Sequence, residues 1–404
     1  MPLKALATKI VLKLQQAGHI AYFAGGFVRD YLLKVPSDDI DIATSASIEE
    51  IQCLFSKTIP VGILFGIVIV VEEGYHFEVA TFRKEKEYVD GRRPQCVEMT
   101  TPQEDAKRRD FTINGLFFDP IQEQLFDFIG GVEDLKRKQI KAIGNPHDRF
   151  LEDRLRMIRA IRYATRLHFS LEEETKKAIV FHAKDLFPSV AIERVWQEFE
   201  KMSLFSHFPK SLTMLYDLGL LQTIFPKLHK IPAIEVTERI SSFHSLPKNT
   251  PLILEILHLF PEDSLQEHLF LCDYLKRSKK DKELVQFFHK AKSLLDMPST
   301  WQEALDPVEW AHFYAHPLNT ICLTLFKAPL SFHEENKKKL FPYTLRIQSN
   351  KPLIQAQDLL DLGIPKGPLL GLLLQEAEKI AINFLLEDKK EVLEKLMRSF
   401  LWPL

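Results

Sequence analysis

Four cysteines in 404 residues, Cys53, Cys96, Cys272 and Cys322, lie far apart and form no Cys-x-x-Cys pair. That spacing indicates neither a zinc site nor a disulfide framework and fits a reducing cytoplasm. Long apolar runs are missing too. Stretches such as Ile67 to Val71 are far short of the about 20 residues a membrane span needs. The N-terminus, Met1-Pro2-Leu3-Lys4-Ala5-Leu6, has a lysine but no sustained apolar run or cleavage site, so no signal peptide is read there. A net charge of −2 argues against a blanket nucleic-acid coat while leaving room for a local basic groove. No fixed-period repeat and no low-complexity tract is present.

What is there is ordinary globular composition, 46% hydrophobic and 27% charged, in a chain long enough for two or more domains. Residues 1–145 read as α/β. Ile20 to Phe23 is strand-like and runs into Gly25-Gly26, a helix follows over Val28 to Leu33, and Pro36 stops it. Ile40 to Ala43 reads as a strand. Thr44-Ser45 and Ser47 offer caps for a helix over Ile48 to Phe55. Gly66 to Val71 and Tyr75 to Phe82 form a plausible hairpin, and the polar stretch Lys84 to Met99 reads as a mobile loop. After Gly144-Asn145-Pro146 glycine and β-branched runs become scarce and helical periodicity dominates to the C-terminus. The fold class is therefore α+β: an α/β head followed by an all-α array, with internal borders placed near 205 and 350.

Asp39 and Asp41 are the first chemical candidates. Two apart on a strand, they share a face, and two carboxylates on one face repel unless a cation lies between them. Oxygen ligands of this kind suit Mg²⁺, and two such ions can clamp the attacking and leaving oxygens of a phosphoryl displacement. The bland alternative is a solvated strand end; the glycine turn ahead of the pair favours the metal. Asp38 falls on the opposite face. At Gly25-Gly26 backbone N–H groups approach phosphate oxygens, and Arg29 adds a planar, permanently charged donor. Glu78 is either a third carboxylate beside the aspartates or a rim residue paired with Arg83.

Two further stretches carry chemistry. In Arg108 to Asn114, a helix would put Asp110 and Asn114 on one face to hold ribose hydroxyls, with Arg109 toward phosphate. A capped amphipathic helix explains the same residues. In Glu152 to Arg162, Asp153, Arg156, Arg159 and Arg162 recur every third residue and stay on one side of a helix. A salt-bridged surface helix is the plain reading. The sharper reading is a base reader. A carboxylate accepts from an exocyclic amine and a guanidinium donates to a ring nitrogen, a pattern that adenine and cytosine match and guanine and uracil reverse.

In order, GGFVRD, DDIDIATSA, RRDFTINGLFFDP, FDFIGGVEDLKRKQI, EDRLRMIRAIRYA and ERVWQEFEK resemble the bacterial class II tRNA nucleotidyltransferase/poly(A) polymerase family over roughly residues 20 to 201. The resemblance implies a polymerase β-like nucleotidyltransferase head (1–145), a helical neck that reads the base (146–205), a helical body (206–350) and a helical tail (351–404) that binds tRNA. It implies Asp39 and Asp41 as Mg²⁺ ligands and Gly26 and Arg29 at the triphosphate. Arg109, Asp110 and Asn114 would serve sugar and phosphates. Asp153 and Arg156 would read the base, supported by Arg159 and Arg162. Asp127, Gly130 and Gly131 fall in a hinge motif, and Glu193, Arg194 and Glu198 in one that steadies the neck. Gly115 replaces a usual alanine, which would loosen its helix; Phe65 stands where histidine is common, and Asp38 where lysine or asparagine is. The full segment Arg83 to Val97 argues against CC-only addition. The expected activity is CCA addition to the tRNA 3′ end from CTP and ATP. The alternatives are A-only addition, poly(A) synthesis and, from another class, an RNA-binding protein with a dead head. Lys276-Arg277-Ser278-Lys279-Lys280, Lys282 and Lys337 to Lys339 are candidate tRNA contacts but read first as solvated helix faces. The sequence specifies no oligomeric state.

Overall fold

The computed structural model describes residues 2–37, 39–62, 66–88, 94–297 and 306–403. They fall into two compact units, Met1–Ser241 and Ser242–Leu404. The borders read from sequence at 145 and 205 fall inside the first unit, and that at 350 inside the second.

The first unit begins with helix α1 (Pro2–Gln16) and strand β1 (Ala21–Ala24), then α2 (Gly26–Leu32), β2 (Asp41–Thr44), α3 (Ile48–Leu54), β3 (Thr58–Gly62), β4 (Ile67–Glu72) and β5 (Tyr75–Thr81). Ser47 caps α3 as read: its hydroxyl accepts from Glu50 N at 3.2 Å, and Glu50 Oε2 accepts from Ser47 N at 2.7 Å. Strands β6 (Arg83–Tyr88) and β7 (Pro94–Met99) follow, then α4 (Pro102–Lys107), a 3₁₀ turn (Thr112–Asn114), β8 (Phe117–Asp119), β9 (Gln124–Phe126) and α5 (Gly131–Lys136). One seven-stranded sheet has the order β3-β4-β5-β2-β1-β8-β9. Its register positions the site. Ala24 at the end of β1 pairs with Asp41 at the start of β2, and Ala24 also pairs with Phe117 of β8. β2 runs parallel to β5 with Ile42 beside Val79, which brings Asp41 alongside Glu78. The Gly25 turn (φ 68°), which closes onto Leu116 O at 3.1 Å, thus lands next to the aspartate that opens β2.

Two expectations change here. Lys84 to Met99 is not a loop: β6 and β7 form a separate antiparallel ribbon, with Lys84 opposite Glu98. A ribbon outside the main sheet needs no alternating apolar face, so its residues look like a polar loop in sequence. Its connecting residues 89–93, like Asp38 and Phe65, lie outside the described residues. Nor is Arg108 to Asn114 one helix. α4 ends at Lys107 and the chain re-forms only the short 3₁₀ turn. Gly115 closes that turn and has no helix to loosen.

Residues of the expected hinge form a carboxylate-capped turn: Asp127 accepts from the backbone N–H of Ile129, Gly130, Gly131 and Val132 at 2.9–3.2 Å. Beyond it come β10 (Gln139–Ile140), α6 (Pro146–Glu152), α7 (Leu155–Leu167), β11 (Ser170–Leu171), α8 (Glu173–His182), α9 (Ile192–Ser203), α10 (Phe208–Asp217), α11 (Leu220–Ile224) and α12 (Ala233–Ser242). The single helix expected over Glu152 to Arg162 is broken at Asp153. That residue is extended (φ −150°, ψ 104°), and its carboxylate accepts from Leu155 N at 3.1 Å, capping α7.

The second unit is helical. Its C-terminal part packs Leu359, Leu373, Ala377, Val392 and Leu396 into one core. Ser278 caps the helix Lys279–Leu295, consistent with a solvated basic face. No helix among the described residues is long and apolar enough to cross a membrane.

Two glycines report the close packing beneath the sheet. A Cβ at Gly131 would stand 2.3 Å from the backbone oxygen of Thr112, whereas one at Gly115 would meet the tip of Ile129 at 2.2 Å. A side-chain tip can swing away and a backbone carbonyl cannot. Gly131→Ala is therefore expected to cost about 1–3 kcal/mol and Gly115→Ala clearly less, as read from urea denaturation of the two variants.

Candidate active site

The start of β2 and the end of β1, α2, the 3₁₀ turn and helices α7 and α9 border a cavity of about 710 Å³. Its walls carry Gly25, Gly26, Arg29, Asp39, Asp41, Arg109, Asp110, Asn114, Asp153, Arg156, Arg159 and Arg162. Every site residue expected from sequence except Glu78 is thus brought to one place. Ten cationic side chains line it (Arg29, Arg83, Arg108, Arg109, Arg156, Arg159, Arg162, Arg166, Arg194, Lys201) against five aspartates (Asp30, Asp39, Asp41, Asp110, Asp153). The excess suits a polyanion.

At the sheet end Asp41 is half-buried and Asp39 exposed, in the approach to β2 rather than within it. Burial pushes the Asp41 carboxyl up to about 7, with the charges of Glu78 and Asp39 adding to it and Arg109 opposing it. Glu78 is pushed up by burial and by Asp39, while Arg83 lowers it, so it feels both groups proposed for it. Among the described residues no hydrogen bond or ion pair neutralises Asp39 or Asp41, and no group of three or more metal-ligating side chains is pre-assembled. Those facts agree. Mg²⁺ is typically held by one or two carboxylates plus water and substrate phosphates, so Asp39 and Asp41 fit a divalent cation that arrives with a nucleotide.

Arg109 lies beside the glycine turn, with Nη1 2.9 Å from where a Gly25 Cβ would be; a side chain there would displace it. It is aimed by Asp105, which takes Arg109 Nη2 at 3.1 Å and Arg108 Nη2 at 2.7 Å. Burial works against that carboxylate, but the guanidiniums of Arg109 and Arg108 prevail and hold it below the usual range. Asp105 was not singled out from sequence, although its i+3 and i+4 spacing to the two arginines was visible.

Three of the expected nucleotide-contact residues are also bonded within the protein. Arg29 is 2% exposed, donates to Asp30 at 2.8 Å and Asn114 Oδ1 at 2.6 Å, and faces the Tyr163 ring at 5.0 Å. Asp110 and Asn114 are bound to each other at 3.0 Å, and Asp110 Oδ2 takes Arg159 through Nε at 2.9 Å and Nη2 at 2.6 Å. These bonds aim the guanidiniums of Arg29 and Arg159.

At the helical end, Asp153 and Arg156 line the same wall. Arg194 grips Asp153 with two bonds at 3.2 and 2.8 Å. With Leu155 N this uses three of about four acceptor positions on a carboxylate and leaves one for an incoming amine. Arg156 is held by Glu152 Oε2 at 2.5 Å. Arg162 donates to the buried Glu198 at 2.5 Å, tying α7 to α9. Sequence reading missed Tyr163, Arg166, Lys201, Leu204 and Phe205, all in the cavity wall. Glu193, placed by the resemblance in the same motif as Arg194 and Glu198, is not in the cavity wall.

Asp110 gives a pH test. Burial disfavours its charge, but Arg159, Asn114 and Arg156 outweigh this and hold the carboxyl at about 2, below the ordinary 3.8. A lowered carboxyl stabilises the fold above its unfolded value and loses that contribution as pH falls through the folded one. Asp110→Asn should therefore destabilise by about 3 kcal/mol at neutral pH. The gap to wild type should close between about pH 4 and 2, as read from denaturation midpoints.

With the geometry in place, the likenesses to known proteins are informative. Residues 21–141 match the family model for the poly A polymerase head domain, and residues 168–231 that described as a probable RNA and SrmB-binding site of polymerase A. A CCA-adding enzyme of Anoxybacillus flavithermus is 35% identical over 395 residues, 96% of this chain and 95% of that protein. One from Lactobacillus johnsonii is 32% identical over 97% of this chain and 96% of its own. Among solved structures, the Bacillus stearothermophilus CCA-adding enzyme in complex with CTP superposes with a TM-score of 0.76 at 29% identity, covering 98% of each chain.

Proposed function

This chain belongs to the CCA-adding enzymes, and from that membership we infer that it adds C, C and A to the tRNA 3′ end, using CTP and ATP. The RNA 3′ oxygen bonds to the α-phosphorus of the nucleotide, the bond from that phosphorus to the β-phosphate bridging oxygen breaks, and pyrophosphate leaves. The observation that carries the reading is the single cavity holding Asp41 and the Gly25 turn at one end and Asp153 with Arg156 at the other. A nucleotide laid along it presents phosphates to the first and its base to the second. The reaction belongs in the cytoplasm, which suits the free thiols of Cys53, Cys272 and Cys322.

The residues divide the work. Asp39 and Asp41 hold the cation, which is Mg²⁺ in this reading and stabilises charge on the phosphates when bound. Arg109 meets the triphosphate beside the N-terminus of α2. Asp110, Asn114 and Arg29 act as positioning residues, fixing α7 against the head so that base and phosphate subsites keep their separation. Asp153 accepts from the exocyclic amine of cytosine or adenine, and Arg156 donates to the adjacent ring nitrogen; guanine and uracil set donor against donor there. Glu78 contributes field at the carboxylates. Head, neck, body and tail borders at 145, 205 and 350 remain this reading's division of the chain.

The test uses purified protein, Mg²⁺ and three transcripts ending before C, after C and after CC, with CTP, ATP or both. Growth that stops at CCA on all three is expected. Extension of the CC-ended transcript alone would make it an A-adding enzyme, a long ladder from ATP a poly(A) polymerase, and no extension an inactive binder.

Two variants probe the roles. Asp41→Ala should lower incorporation by at least ~100-fold. Because the Asp41 carboxyl is raised to about 7, its charge destabilises the cation-free fold as pH rises toward 7. Mg²⁺ should therefore raise the melting temperature more at pH 8 than at pH 6, and Asp41→Asn should remove that response. Asp153→Ala should shrink the preference for CTP over UTP by about 10- to 100-fold, measured by kcat/KM on a C-ended transcript.

A further inference from the structure

The helical end of the cavity carries two side chains that neither metal nor base-edge chemistry uses. Leu204 and Phe205 sit in the turn between α9 and α10, 80% and 39% exposed, and both line the cavity wall. The turn is fixed: Phe205 N donates to Met202 O and Phe208 N to Phe205 O, each at 3.2 Å. The Arg166 guanidinium lies 5.4 Å from the Phe205 ring centroid and donates to Asp30 Oδ2 at 3.2 Å. Asp30 in turn holds Arg29, so the ring is braced to the helix that follows the glycine turn. Lys201, one turn back on α9 and with a side chain 54% exposed, faces the same space.

A rigid aromatic face at the rim of a cationic cavity, flanked by a guanidinium and an ammonium, is the chemistry that takes an unpaired nucleobase together with its phosphates. The incoming nucleotide has its own base-reading pair, Asp153 and Arg156, which works on the base edge and leaves this ring unused. The second nucleic-acid component in the same cavity is the end of the RNA being extended.

We propose that Phe205, with Leu204, Arg166 and Lys201, is the platform on which the unpaired 3′-terminal base of the RNA stacks while its hydroxyl is offered to the nucleotide at Asp41. This rests on the RNA-extending reading above. Phe205 is a positioning residue: it sets where the acceptor lies and makes no contact with the reacting atoms.

The experiment compares wild type, Phe205→Ala, Phe205→Leu and Phe205→Trp on an RNA hairpin ending in CC, and on the same hairpin with an abasic terminal nucleotide that keeps its 3′ hydroxyl. Phe205→Ala is expected to raise KM for the CC-ended hairpin about 5- to 150-fold, the range for losing one base–aromatic stack, with KM for ATP unchanged. Phe205→Leu, which keeps the apolar bulk, should behave like Ala, and Phe205→Trp like wild type. On the abasic hairpin wild type and Phe205→Ala should coincide. An unchanged KM for RNA in Phe205→Ala and Phe205→Leu overturns the platform. So does a penalty confined to ATP, which would assign the ring to the incoming base, or a penalty undiminished on the abasic hairpin. Fluorescence anisotropy of both hairpins without nucleotide reads the same stack without turnover. If wild type extends no transcript, the activity reading falls; if it binds the two hairpins equally, the platform falls.

Discussion

A buried carboxylate, Asp110, joins the sheet-bearing part of the first unit to the helix that faces it. It takes both Nε and Nη2 of Arg159 from α7 and is itself fixed by Asn114, which in turn holds Arg29. Buried ion pairs are poor sources of net stability and good sources of geometric definition, because a planar guanidinium satisfies a carboxylate in few orientations. This pair fixes helix α7 against the 3₁₀ turn that follows α4. The Arg162–Glu198 bond and the two-bond Arg194–Asp153 pair add ties to α9, so these elements are held by ion pairs and not by apolar contact alone.

Much of this was legible in the sequence, and the limits are physical. β1, the glycine turn, β2, and the hairpin of β4 and β5 follow period-2 patterning and turn chemistry, which are local. The place of Asp41 at the start of β2 was readable because it opens a β-branched run after the glycine turn and Pro36. The break at Asp153 was not readable, since it depends on a capping bond to Leu155 and a grip by Arg194, 41 residues away. The fate of Arg29 was hidden for the same reason: its partner Asn114 is 85 residues distant. β6 and β7 pair outside the main sheet and bear no apolar stripe. Phe205 follows a helix end, where no periodicity marks it.

Net charge was the weakest guide. A chain of −2 overall carries twice as many cations as carboxylates in one cavity wall. Fields are local: charges beyond a Debye length of about 8 Å count for little at physiological salt, so acidic residues elsewhere neither cancel nor reveal a basic pocket. Within the pocket the charges are also sorted. Carboxylates without cationic partners among the described residues, Asp39 and Asp41, stand at the sheet end, while Asp30, Asp110 and Asp153 are each engaged by arginine.

The arginines are sorted as well. Around the Tyr163 ring, Arg29, Arg159 and Arg162 stand 5.0, 5.6 and 4.3 Å from the centroid, three like charges in one small volume. They face Asp30, Asp110 and Glu198, of which Asp30 also takes Arg166 and Glu198 also takes Lys201. The electron-rich ring face softens the repulsion between the guanidiniums. Arg109 stands apart from this hub. It shares Asp105 with Arg108, and its remaining bond goes to a carbonyl, Asn114 O at 3.3 Å. Its guanidinium lies beside Gly25, where backbone N–H groups and the start of α2 also favour an anion. The two uncompensated carboxylates lie across the same turn. The sheet register thus holds groups of opposite charge at fixed places on either side of Gly25.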